Sequence, residues 1–520
     1  MKKHIKHLGA DLPASLVVFL VALPLCLGIG FASTNVEGIG STPNIFAGLI
    51  AGIVGGIIVG VLSGSRIGVS GPAAGLITII TAAIATLGSF DAFLVAVVLS
   101  GVIQIIAGYA RLGILGNYFP SSVIKGMLAA IGITLILKEI PHAFGYDTDF
   151  FGDESFLQTD GHNTFSELLY AFNALEPGAI IISLLSILVL ILFNQERFKK
   201  IALFKLIPGA LIVVLLGIGL NLLFQAYFPE LALSKKHLVG LPVATSLSEF
   251  TTFFQFPNFS YLSNPNVYII AATIALVGSL ETLLSVEATD NLDPDKHHTP
   301  TNRELKAQGV GNIVSGLIGG LPVTQVIVRS SANVSAGGKS KLATIIHGLL
   351  LLLSVFFIPT LINLIPLASL AAILIMVGYK LAQVQLFKYM FRSGYEQFVP
   401  FVATIVGVLL TDLLKGIFIG IGVAVFYILR RNFRHSYTIT DTDKGEINLE
   451  LAEDVTFLNK ASIVQYFYDA PEGVTMTIDG SKCKSINHDV LESIAEFKKF
   501  GAPEKKIKLS VINIPDCEIS

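Results

Sequence analysis

Tryptophan is missing from all 520 residues, and cysteine occurs only three times. Without tryptophan, any aromatic belt at a membrane surface must rest on tyrosine and phenylalanine. Cys26 lies in an apolar stretch, whereas Cys483 and Cys517 lie in a polar tail. That placement shows neither a disulfide framework nor Cys/His zinc spacing. Charge is also scarce, at 14% of residues, against about 25% in soluble domains. A formal net charge of −2 says nothing in favour of nucleic acid, and no such partner is expected. No nucleophile motif with a partnered base appears, so the chain is not expected to be an enzyme. The stretch NVSAGGKS (333–340) imitates the end of a phosphate-binding loop. Asn333 stands where that loop needs glycine, and a membrane helix end is the wrong context.

What the chain has in abundance is apolar sequence, 53% of its residues. About fourteen apolar segments lie between residues 12 and 430, several near the 20 residues a helix needs to cross the hydrocarbon core. The expected fold is therefore an α-helical polytopic membrane protein, residues 1–436, held in a lipid bilayer. The third and tenth segments, near 72–88 and 326–336, are short. Each follows an interrupted glycine-rich stretch, SGSRIGVSGPAAGL (63–76) and IGGLPVTQVIVRSSANVSAGG (318–338). Paired broken segments in matching positions point to a transporter built from two repeats. With seven segments in each half, the repeats are inverted.

Loop charge sets the orientation. Arg66, Arg111, NQERFKK (194–200), KHHTPTNREL (296–305), Lys339, Lys341 and LFKYMFR (386–392) fall on one side with the basic N-terminus. The loop 140–175 on the other side is acidic. The N-terminus reads as a cytoplasmic lead-in to the first helix, not a cleaved signal. Residues 437–520 are mixed polar and read as a small cytoplasmic α/β domain. Its expected strands are 445–452, 474–479 and 506–514, and its expected helices are 458–469 and 488–500.

Three groups carry chemistry. Pro72 in GVSGPAAG (68–75) is expected to open a helix, whose free amides favour an anion. Arg329 falls at the start of the tenth segment. A permanent cation near the midplane must face water, an anion or an acid, and guanidinium suits an oxyanion. Glu281 is the obvious acid for such a pair. Glu281 and Ser285 share one face of the eighth segment. A carboxylate beside a hydroxyl fits Na⁺ as a coupling ion, and it fits a proton carrier equally well. Glu287, on another face, reads as interfacial.

These stretches resemble the SulP family of inorganic anion transporters. The resemblance is carried by DLPASLVVFLVALPLCLGI (11–29), VSGPAAG (69–75), SLETLLSVEATDN (279–291), NRELKAQGVGNIVSGLIGGLP (302–322) and RSSANVSAGG (329–338). The tail resembles a STAS domain through VTFLNKASI (455–463) and TIDGSKCKSINHDVLESI (477–494), and it is short. The resemblance implies a core domain moving against a gate domain, with an anion held between the third and tenth helices. It implies a substrate site of Leu25, Cys26, Ile29, Pro72, Ala73, Ala74, Val328, Arg329 and Ser330. It also implies a cation site at Glu281 and Ser285, with Na⁺ the metal it would take, and homodimers formed partly through the STAS domain. The expected function is cation-coupled, elevator-type transport of sulfate or bicarbonate across the inner (plasma) membrane. A passive anion channel or uniporter and a nucleobase permease of the same fold are the alternatives. Arg329 disfavours the nucleobase permease, because those relatives hold a neutral base with acidic side chains.

Overall fold

The computed structural model describes residues 7–34, 44–148, 156, 163–195, 208–241, 243, 251, 253–434, 437–442 and 446–515. Cys517, most of NQERFKK and most acidic residues of the 140–175 loop lie outside them. The chain forms two compact units, Met1–Ile421 and Gly422–Ser520.

Among the described residues, the first half contributes α1 (Leu8–Thr34), α2 (Ile45–Leu62), α3 (Ala74–Leu87), α4 (Phe90–Tyr109), α5 (Ser121–Phe144), α6 (Pro177–Asn194) and α7 (Gly209–Tyr227). The second half contributes α8 (Pro265–Leu292), α9 (Thr301–Leu317), α10 (Ile327–Ser335), α11 (Lys341–Phe357), α12 (Leu367–Leu381), α13 (Tyr395–Leu410) and α14 (Leu413–Arg434). The expected order is thus found. Lipid-facing surface is visible on α6, where Leu184, Leu188 and Ile191 are exposed at helical spacing. An apolar stripe of that kind marks a membrane-facing helix side.

Three details differ from the sequence reading. The eleventh apolar segment, expected over 341–363, stops at Phe357, and Pro359 opens a separate short helix, Pro359–Ile362. The basic run 386–392, read as a loop, belongs to a short amphipathic helix, Val384–Arg392. A further helix, Thr164–Asn173, is capped by Asn163 inside the acidic loop.

Short strands precede α3 and α10. Strands β1 (Ser70–Pro72) and β2 (Val323–Gln325) pair antiparallel, Ser70 with Gln325 and Pro72 with Val323. Their pairing satisfies backbone groups that lipid or an apolar core would leave unpaired. It also points the first turns of α3 and α10 toward one region.

The unit Gly422–Ser520 contains a four-stranded sheet. Its strands are β3 (Tyr437–Thr442), β4 (Glu446–Leu451), β6 (Thr475–Asp479) and β8 (Lys508–Ile512), in that order. Strand β3 runs antiparallel to β4, and the remaining pairs are parallel. Two-residue strands β5 (Asp454–Val455) and β7 (Ser485–Ile486) pair separately. Alternate residues of β4 and β6 are buried, as a sheet with one covered face requires. Leu449, Met476 and Ile478 pack with Ile463 and Phe467 of helix Lys460–Asp469 and with Val490 and Ile494 of helix His488–Glu496. The stacked rings of Phe467 and Phe497, 4.2 Å apart, extend this core.

Candidate anion site

The site begins with the β1–β2 pair. Val326 N donates to Val69 O at 2.9 Å and prolongs the ladder by one bond. Pro72 ends β1 and does not open a helix. Ala73 is extended (φ −112°, ψ 133°), and α3 starts at Ala74. The correction has a physical reason: proline's fixed φ suits an extended residue as well as a first helical turn, and pairing with Val323 selects the extended form.

Arg329 sits in the first turn of α10 and is 1% exposed. Its Nη2 donates to Pro72 O at 3.4 Å, and its charge acts on the fully buried Cys26 of α1. Nη1 has no hydrogen-bond partner. No carboxylate lies within ion-pair distance of Arg329 among the described residues. The ion pair with Glu281 that the sequence suggested is absent. A Cβ built on Gly71 would overlap Nη1, so only glycine leaves room for the guanidinium there.

The remaining expected residues lie on α1, on α8 and at the two helix openings. Leu25 and Ile29 are buried on α1, and Ala73 and Val328 are buried at the two helix openings. Ala74 is half-buried. The Ser330 hydroxyl is committed to backbone: it accepts from Val69 N at 3.0 Å and donates to Val326 O at 2.7 Å. Ser330 therefore locks the two openings together. Glu281 and Ser285 are buried on one face of α8. A Cβ on Gly75 would lie 3.1 Å from Glu281 Oε1, which places the carboxylate at the first turn of α3. Thr282 Oγ1 accepts from Gln325 N at 3.3 Å and ties α8 to β2. The cation set fits a hard oxygen-seeking ion in donor type, one carboxylate and one hydroxyl.

Two cavities lie toward opposite ends of α1. One is lined by Pro13, Val17, Phe193, Ala332 and Lys380, the other by Pro24, Phe31, Asp147, Lys236 and Leu367. Beside the second, Asp147 receives Nδ1 of His142 and Nδ1 of His237, both at 2.6 Å. Burial opposes the charge on Asp147, but these two hydrogen bonds and the imidazole charges hold its carboxyl below the ordinary range.

Sequence reasoning passed over Gly71, Asp11 and His347. Asp11 is fully buried and accepts from Lys339 N at 2.7 Å and Ser340 N at 3.0 Å, so α1 caps α11. An acid after a basic lead-in carries no local signal of that role. His347 did carry one, since an ionisable residue inside an apolar run is unusual.

Comparisons with known proteins place the chain in a family. The putative sulfate transporter YvdB of Bacillus subtilis (strain 168) is 27% identical over 81% of this chain and 73% of its own length. The bicarbonate transporter BicA of Picosynechococcus sp. (PCC 7002) is 28% identical over 82% of this chain and 70% of its own. The solved transmembrane domain of a cyanobacterial BicA shares 26% identity, covers 80% of this chain and 98% of that one, and superposes with a TM-score of 0.55. Murine solute carrier 26 family member A9, an anion transporter solved inward-facing, shares the fold: 15% identity, TM-score 0.66, covering 97% of this chain and 85% of that one. The sulfate permease family profile matches residues 8–404, and the chain belongs to that family of multi-pass membrane transporters.

Proposed function

We propose that this protein is a secondary-active transporter of a small inorganic oxyanion, sulfate or bicarbonate, driven by Na⁺ or H⁺. The observation that carries the reading is Arg329. A buried guanidinium with an unpartnered Nη and, among the described residues, no acid within ion-pair distance is a costly arrangement for an empty site. An oxyanion at that point supplies the missing charge and the missing acceptor, and the fork of the guanidinium suits it. In this reading Leu25, Cys26 and Ile29 of α1, with Ala73 and Val328 at the helix openings, line the site with little competing polarity, and Pro72 and Ala74 complete the opposing helix opening.

Glu281 and Ser285 on α8 form the coupling site in this reading, and they would hold Na⁺ if Na⁺ is the driving ion. Their place at the first turn of α3 supports coupling, because a cation there neighbours the anion and each favours the other's binding. The cavities toward opposite ends of α1 support alternating access by an elevator-like movement of a core against a gate. The basic residues Arg66, Arg111, Arg303, Lys339 and Lys341 support a cytoplasmic N-terminus in the plasma membrane. We take residues 1–436 as the transport domain and 437–520 as a short cytoplasmic STAS domain. The mixed sheet, parallel apart from β3, with two packed helices supports the latter. Homodimerisation is part of the same proposal.

The test is uptake of labelled sulfate and bicarbonate into proteoliposomes under imposed Na⁺ or H⁺ gradients. Accumulation of one anion above its outside concentration, driven by one cation, is the expected result. Flux that only equilibrates would make the protein a channel or uniporter and leave Glu281 without a coupling role.

A further inference from the structure

Helix α11 carries a histidine within its apolar run. His347 is fully buried, and neither ring nitrogen has a hydrogen-bond partner among the described residues. Imidazole always bears at least one N–H. An unsatisfied donor in the interior of a membrane protein is rare enough to require a reason.

The surroundings narrow the reason. Leu351, one turn after His347, lies 3.2 Å from a Cβ built on Gly52, and Gly52 Cα lies 3.5 Å from a Cβ built on Gly71, the residue beside Arg329 Nη1. This face of α11 and the guanidinium of α10 therefore border one interior region, where the Arg329 charge acts on the ring. Helix α11 packs on α1 and α2. Helix α1 presents Cys26, whose Sγ lies against Gly52 of α2, and Asp11, which is occupied at the N-terminus of α11. Residues 45–62 of α2 contain no titratable group. On α11 itself, Lys341 is engaged with Ser63 O. Among the described residues no acid is thus paired with the ring, and the charge that acts on it is positive.

That arrangement has a consequence for binding. A protonated His347 and Arg329 oppose each other while the site is empty. An oxyanion on Arg329 cancels the opposition, and the ring can then take a proton without facing an uncompensated cation. We propose that His347 is the proton-binding residue of the anion site, protonated from the aqueous phase as the anion binds and deprotonated as it leaves. One proton then accompanies each anion, and no bond other than N–H is made or broken. The inference rests on Arg329 being the anion ligand. It leaves Glu281 and Ser285 to a metal cation.

Linkage gives the sign. If anion binding promotes protonation, lower pH strengthens anion binding, by up to about tenfold per pH unit where one proton is coupled. The experiment measures affinity of the purified full-length protein for sulfate and for bicarbonate between pH 6 and 8.5. Sodium is held constant and only the ionised anion is counted. For whichever anion binds, the wild type should tighten as pH falls. His347→Gln and His347→Asn should show the weak, high-pH affinity at every pH, whereas Cys26→Ala and Glu281→Gln should keep the slope.

A flat wild-type profile overturns the proposal, as does a slope that survives in both His347 variants. A slope lost in Glu281→Gln and kept in His347→Gln assigns the proton to Glu281. If neither anion binds wild-type protein at any pH, the Arg329 reading falls, and this inference falls with it. Should the His347 variants fail to fold, wild-type protein in weak buffer decides alone. Uptake of about one proton per anion bound supports the coupling, and no uptake overturns it.

Discussion

The two helix openings that meet near the β1–β2 pair share a frame and differ in chemistry. The first, Gly71-Pro72-Ala73, is small and apolar, and it offers a backbone carbonyl and space. The second, Val328-Arg329-Ser330, offers a fixed charge and a hydroxyl that fastens it to the first. One repeat thus supplies the cradle and the other the cation. Symmetry of backbone places the parts, and asymmetry of side chains gives the site its sign.

The strongest way to break this comparison is to remove the charge. Arg329→Ala should abolish concentrative uptake and weaken anion binding by about 2–5 kcal/mol, at least about thirtyfold, read by labelled-anion binding and flux. Unchanged affinity would mean the anion sits elsewhere. Filling the cradle comes next. Gly71→Ala puts a methyl where Nη1 lies, and overpacking of this kind costs about 1–3 kcal/mol. Anion affinity should fall while the protein stays folded, and an unaffected Kd would show that the guanidinium need not occupy that position.

Glu281→Gln sharpens the comparison from the side of α8. Anion uptake should lose its dependence on Na⁺ and keep its dependence on pH, measured as flux against Na⁺ concentration and against a pH gradient. Persistence of the Na⁺ dependence would remove Glu281 from the coupling site. A smaller effect is expected from Ser330→Ala, which leaves Val69 N without its acceptor. A lost hydrogen bond of this kind costs about 1 kcal/mol, visible as a modest drop in melting temperature with anion specificity unchanged.

Asp147 provides a control away from both openings. Asp147→Asn removes a buried charge that bridges two imidazoles, so stability should fall by about 3–5 kcal/mol while anion affinity holds. The wild-type pH dependence follows from the depressed carboxyl. The stabilising contribution is fully present above the ordinary Asp value of about 3.9 and is lost as pH falls through the lower folded value. Melting temperature measured down the acid range, with Asp147→Asn lacking that component, checks the sign.

Much of the architecture was legible because lipid imposes a simple code. Apolar runs of about 20 residues marked the helices, and Gly-Pro interruptions marked the short third and tenth. The C-terminal strands at 446–451, 475–479 and 508–512 followed from composition and alternation. What escaped was amphipathic or punctuated. Val384–Arg392 is too basic to read as a span and too short to read by period. The break at Pro359 hides inside a continuous apolar stretch. Pro72 carries a φ that fits two conformations, so its sequence context could not choose between them.

The sequence by itself determined the solvent for which this chain is built, the order of its helices and the residue types at its site, because burial in lipid and backbone satisfaction constrain every segment locally. The tertiary structure alone decided how those residues meet. Arg329 and Pro72 touch across 257 residues of chain. Gly71 makes room for the guanidinium, Ser330 is spent on the backbone of Val69 and Val326, and no acid among the described residues reaches Arg329. Those facts depend on pairwise distances between remote segments, which no local pattern of hydropathy or turn residues encodes.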